Sequence, residues 1–145
     1  MRDELSAWTK KHIELVQTGR VGPRDAGEKI KLAQRNLARA QGNLVAADND
    51  EALAKAENAI VNAADAVLAH AGYRLRGKTG SHQARFEFPG LPREFREVRA
   101  RLDRIRSLRT TVTYDAVDVV DASEAKDVVQ LAERLVALAR KKLAP

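Results

Sequence analysis

The chain has no cysteine, which excludes disulfides, thiolate catalysis and cysteine-held zinc, and nothing in it asks for an oxidising compartment. Aromatic residues make up only 4% of it, too few for the strand-rich cores that Tyr, Phe and Trp usually furnish. No run approaches the roughly 18 apolar residues that read as a bilayer span. Met1-Arg2-Asp3-Glu4 also lacks the basic-then-apolar pattern of a signal peptide. The expectation is a cytoplasmic protein, neither secreted nor membrane-embedded. Histidine is scarce as well, and His12, His70 and His82 include no pair at a spacing of three or four, so no metal is indicated. No sequence feature points to a cofactor.

What remains is 44% hydrophobic and 32% charged, with Ala, Leu and Val set among charges in the manner of packed amphipathic helices. The 145 residues suit one domain, long enough to bury about 70% of the surface its unfolded chain would expose. The expected fold is all-α, an up-and-down bundle of about five helices over 1–145, with no sheet.

Apolar residues at spacings of three and four mark the helices. Leu5, Trp8, His12, Leu15 and Val16 predict one near 3–18, with Gly19 as its stop. Ile30, Ala33, Leu37, Ala40 and Leu44 predict another near 25–47. Asp48, with Glu51 three residues on, is a capping box opening a third near 49–71, whose seam is Leu53, Ala56, Ile60, Ala63 and Val67. Gly72 ends it in the left-handed conformation, and Tyr73 to Pro92, with Gly77, Gly80, Pro89 and Gly90, is the one long irregular segment. A fourth helix near 92–114 presents Phe95, Val98, Leu102, Ile105, Leu108 and Val112. A fifth near 122–143 opens on Asp121 with Glu124 as a second capping box, and carries Val128, Leu131, Leu135, Leu138 and Leu143.

The net charge of +6 is unevenly placed. Between Arg74 and Arg109 stand eleven basic residues and four acidic ones, whereas the remainder is close to balanced. Such a segment suits a polyanion, whose counterions are released on binding, or an acidic protein surface; a solvated helix face is the plain alternative.

Within that region, Gly72-Tyr73-Arg74-Leu75-Arg76-Gly77-Lys78-Thr79 satisfies the phosphate-loop pattern letter for letter. A working phosphate loop follows a buried strand and opens a helix, whereas this run follows an Ala-rich helix. It is expected to be inert.

Arg109 is the more informative residue. At 100° per residue from Phe95, the fourth seam spans roughly 220° to 360° and Arg109 falls near 320°, inside the apolar arc. A guanidinium keeps its charge, so the position implies a carboxylate, a subunit interface or an anion-receiving cleft, unless the stem lies on the seam and the head reaches water. Val98, Leu102 and Ile105 mixed with Arg101 and Arg109 suit a symmetric interface with a charged cleft.

The order of these features resembles the HEPN domain over about residues 28–143. It comprises an Ala-rich helix, Gly72-x-Arg74, Gly77-x-x-Gly80-x-His82, a basic amphipathic helix, Leu108-Arg109-x-x-x-x-Tyr114-Asp115, and a closing helix rich in Glu, Ala and Leu. The resemblance implies a helical bundle, often a homodimer, of toxin–antitoxin or defence type, and commonly paired with a minimal nucleotidyltransferase antitoxin. Its RNase members carry an Arg, a polar residue and then a His. Here Arg109 and Thr110 match, but Tyr114 stands where the histidine would be. Tyrosine, with a reference pKa near 10, exchanges protons poorly near neutrality, so the implied endoribonuclease chemistry is placed in question by that one position. The resemblance thus implies catalytic roles for Arg109 and Tyr114. RNA contact falls to Arg74, Arg76, Lys78, His82 and Arg106, with His82 either orienting its loop or supplying the missing imidazole. The alternative is a non-catalytic helical module that binds a nucleotidyltransferase-type partner, a nucleotide or another anion.

Overall fold

A computed structural model describes residues 2–17, 21–104, 107 and 120–145. Helix α1 covers Arg2–Lys11, strand β1 Val16–Gln17, α2 Pro23–Val45, α3 Asn49–His70, strand β2 Arg74–Leu75, α4 Ser81–Phe86, α5 Arg93–Glu97 and α6 Ala122–Leu143. Residues 99–104 are also helical. The all-α expectation is met, and among the described residues no helix is long and apolar enough to cross a membrane.

The frame is three long helices. The α2–α3 connection spans only three residues, which forces an antiparallel pair, and α6 packs along α3 and less extensively along α2. With neighbours on two sides, α3 is buried around most of its circumference. Its predicted seam of Leu53, Ala56, Ile60, Ala63 and Val67 lies inside, and Ala52, Ala59, Ala64 and Ala66 join it. Alanine on the flanks lets neighbouring backbones approach closely, while Leu53 and Ile60 each contribute roughly 1.5–3 kcal/mol by burial. Ala33 and Ala40 of α2 and Val128, Leu135 and Ala139 of α6 complete the interior; Ile30, Leu37, Leu44, Leu131, Leu138 and Leu143 pack at its edge.

The helix ends follow from local chemistry. Gly72 takes φ +94, with its amide on the Ala69 carbonyl and that of Tyr73 on Leu68, a Schellman termination of α3. The α2 terminus has the same pair of bonds, Ala47 to Leu44 and Asp48 to Asn43, but the left-handed position is held by Ala47 at φ 59. Asp48 then caps α3 by accepting from the Glu51 amide at 3.5 Å, and Asp121 caps α6 by accepting from Glu124 at 2.7 Å. Neither glutamate returns a bond to its cap, so each predicted capping box is half made. A reciprocal contact does occur at α2, where the Gly22 amide donates to the Asp25 carboxylate at 2.9 Å.

Four expectations need correction. The first helix stops at Lys11, because the chain turns over His12–Leu15 and extends to pair Val16 with Leu75 and Gln17 with Arg74; Trp8, His12 and Val16 still face inward. That antiparallel pair is a two-residue sheet where none was expected. The segment from Tyr73 to Pro92 contains β2 and α4, since Ala84, Phe86 and Phe88 bury themselves and leave the intervening backbone to satisfy itself in a helical turn. The predicted helix near 92–114 is interrupted at Val98, although Phe95, Val98 and Leu102 are buried as expected. Ile105, Leu108 and Val112 lie outside the described residues.

Candidate functional site

The loop after α3 carries most of the predicted contact residues. Alternation along β2 turns Leu75 toward the core and leaves Arg74 and Arg76 exposed to either side of it. The strand is fixed by its pairing with β1 and by the Arg76 amide donating to the Leu15 carbonyl at 2.8 Å. Lys78 is exposed one turn further on. Arg74, Arg76 and Lys78 therefore form a short cationic row on one strand and its loop.

The phosphate-loop match does not have a phosphate loop's geometry. Its strand is only two residues long and lies inside the pattern, the Lys78 amide is spent on the Arg76 carbonyl at 2.9 Å, and the following helix α4 has six residues.

His82 is placed otherwise than a loop ligand. It lies in the first turn of α4 with its side chain only 16% exposed, its ring 4.9 Å from that of Phe86, and Nε2 3.9 Å from Oδ1 of Asp103. The imidazole thus stands beside the 99–104 helix, on the chain segment that leads toward Arg109. Arg106, Arg109 and Tyr114 lie outside the described residues.

Two further groupings join residues that sequence reasoning left apart. In the first, Lys11 Nζ lies 2.6 Å from Glu87 Oε1, and the buried His12 brings Nε2 to 3.5 Å from Oε2 of the same carboxylate. Burial pushes the Glu87 carboxyl up, but hydrogen bonds from Lys11 and Gln83 and the charges of Lys11 and His12 outweigh it and hold the group below its ordinary value. In the second, Arg85 Nε donates to Asp65 Oδ1 at 2.6 Å, a half-buried pair joining α4 to α3. No spacing rule reaches either one, since the partners stand 76 and 20 residues apart. Helical periodicity does signal that His12 and Asp65 lie on or beside a buried face.

Elsewhere the basic helix surface is partly committed. Arg96 donates to the Pro89 carbonyl at 2.7 Å, Arg93 lies 3.3 Å from Glu97, and Arg101 lies 3.8 Å from Asp127 of α6. Among the described residues no group of three or more His, Asp or Glu side chains is arranged to hold a metal ion.

Comparison with known proteins agrees with this architecture. Residues 26–142 match the family model described as the HEPN domain, a span that takes in α2 through α6 and leaves α1 and β1 outside. Neither the curated proteins nor the solved structures gave a match. With a match over most of its length on an all-helical frame, the chain belongs to the HEPN-domain family.

Proposed function

We propose that this HEPN-domain protein is of the toxin–antitoxin or defence type and engages RNA through the basic surface of the 74–109 segment, as a homodimer whose cleft contains Arg109 and Tyr114. The observation that carries the reading is the family match spanning the Arg109-x-x-x-x-Tyr114 run, together with the exposed row of Arg74, Arg76 and Lys78 on the same segment. Three cations on a fixed strand and loop suit a phosphate backbone, with affinity that falls as salt rises. A minimal nucleotidyltransferase partner fits the same reading.

Tyr114 favours binding over cleavage. A phenol lacks the near-neutral proton exchange that metal-independent RNA cleavage needs, yet it stacks on bases and donates a hydrogen bond. The second reading, a non-catalytic interaction module, rests on that substitution.

The test is fluorescence anisotropy with labelled single-stranded RNA across a salt series. Binding is expected to weaken steeply with salt, and the double variant Arg76→Ala/Lys78→Ala to flatten the log–log slope by roughly one to two. Salt-independent binding, or none, would remove the RNA reading. Light scattering is expected to return about twice the 16.0 kDa chain mass; the monomer mass alone would remove the dimer.

A further inference from the structure

A cleft of about 780 Å³ lies between the turn at 12–15, which follows α1, and the loop at 77–79, which follows β2. One wall comes from outside the span that matches the family and the other from inside it. Backbone bonds tie the two together. The Arg76 amide donates to the Leu15 carbonyl at 2.8 Å, the His12 carbonyl accepts from the Leu15 and Val16 amides, and the Ser81 amide closes the loop on the Lys78 carbonyl at 3.1 Å. Walls held in this way keep their shape without a ligand, as binding sites usually do.

The lining residues differ in what they have left to offer. Lys11 is spent on Glu87, and the buried His12 faces the same carboxylate. Ile13, 69% exposed, and Leu15 give the cleft an aliphatic surface. Glu14 lines it too and makes no ion pair or hydrogen bond among the described residues. Lys10 stands four residues earlier, but α1 ends at Lys11 and the pairing that a continued helix would allow is not made. Lys78 completes the rim and is also the last cation of the exposed row formed with Arg74 and Arg76.

An acidic peptide suits the row but not the cleft, where Glu14 would repel it. A nucleobase suits both places: it is flat and uncharged, its face packs on an aliphatic surface, and its phosphate stays outside on Lys78. Guanine alone among the four bases presents two adjacent donors, N1–H and N2–H, to a carboxylate that accepts with both oxygens. Adenine and cytosine offer one amino group beside a ring acceptor, and uracil a single N–H between two carbonyls.

We infer that this cleft receives one unpaired base of an RNA lying along Arg74, Arg76 and Lys78, and that Glu14 selects guanine there. The inference rests on the RNA reading of the basic surface and adds to it the base that is read; it involves neither Arg109 nor Tyr114.

Fluorescence anisotropy on the full chain, with uridine oligomers carrying one central guanine, adenine or cytosine, tests it. The guanine oligomer is expected to bind about tenfold more tightly than the adenine one, in line with a two-bond base contact. Glu14→Gln keeps the size of the side chain and loses one acceptor, and should bring the guanine-to-adenine ratio to within about twofold of unity. The ratio is the readout, because removing a negative charge strengthens binding of every RNA alike. Ile13→Ser is expected to weaken every oligomer several-fold by removing aliphatic surface. Both side chains are exposed, so neither variant threatens the fold. Salt-sensitive binding without a guanine preference, a preference that survives Glu14→Gln, or an Ile13→Ser variant that binds like the parent overturns the cleft and leaves the RNA reading standing. No binding by any oligomer overturns both.

Discussion

Trp8 donates its indole N–H to the carbonyl oxygen of Ala84 at 2.8 Å, joining α1 to α4 across 76 residues of sequence. The ring meets Phe88 edge-on at 4.9 Å and Tyr73 at 5.4 Å. Helix α1 lies outside the span that matches the family, and this buried contact is its main attachment to the part that does.

Trp8→Phe retains much of the apolar contact and leaves the Ala84 carbonyl buried without that donor. Chemical denaturation is expected to show a loss of roughly 1–3 kcal/mol, and Trp8→Ala a loss of about 3–5 kcal/mol. If Trp8→Phe melts with the parent, the indole bond contributes nothing and α1 is held by packing alone.

Ala47 presents the opposite opportunity. Its φ of 59 places an alanine where the α2 termination ordinarily takes glycine, and a side chain there costs roughly 1–2 kcal/mol of backbone strain. Ala47→Gly relieves that strain while giving the unfolded chain more freedom, so a net gain of about 0.5–1 kcal/mol is expected in equilibrium unfolding. A destabilised variant would show that the alanine methyl makes a contact outweighing its conformation.

Much of this frame is legible from apolar spacing, because α2, α3 and α6 are long enough for a 3.6-residue period to repeat several times. Every predicted seam residue of α3 is buried. Short elements carry no such repeat. Two-residue β1 exists only because Leu75 and Arg74 come alongside it, and six-residue α4 only because Ala84, Phe86 and Phe88 find the core. The same limit applies to the site. Alternation in β2 exposes Arg74 and turns Leu75 inward, and Arg76 and Lys78 are exposed in the loop beyond it, but the approach of His82 to Asp103 and the anchoring of Arg85 by Asp65 are tertiary contacts with no local signature.

Glu87 links this packing to pH. Its carboxyl is held below the ordinary value of 4.5, so the folded state binds that proton less readily than the unfolded state does. The resulting stability is present above the unfolded value and is lost as pH falls through the folded one. Lys11→Ala removes the closest cation, 2.6 Å away. It should therefore destabilise near neutral pH and have a progressively smaller effect as the pH falls through the folded-state value, below which the carboxyl is protonated in both chains. An effect of equal size at both pH values would assign the role of Lys11 to its methylene stem.

Arg109 and Tyr114 provide the decisive comparison for function. Five residues apart on a regular helix, their directions differ by about 140°, so they converge only if the helix ends between them or a second copy completes the pair. The β-branched Thr110, Thr111, Val112 and Thr113 lower helix propensity across that interval. Arg96 is a poor control for Arg109, because its guanidinium holds the Pro89 carbonyl at 2.7 Å and its loss would disturb the loop. Arg104 is exposed, with no ion pair among the described residues, and serves better. Arg109→Ala is expected to weaken RNA or partner binding several-fold more than Arg104→Ala, since a desolvated charge contact outweighs a screened one. Tyr114→His is the direct way to supply an imidazole at the motif position, and it should raise cleavage of a labelled RNA above that of the parent chain. Equal binding by the two arginine variants, with no cleavage by a well-folded Tyr114→His variant, would leave the non-catalytic interaction module as the reading that stands.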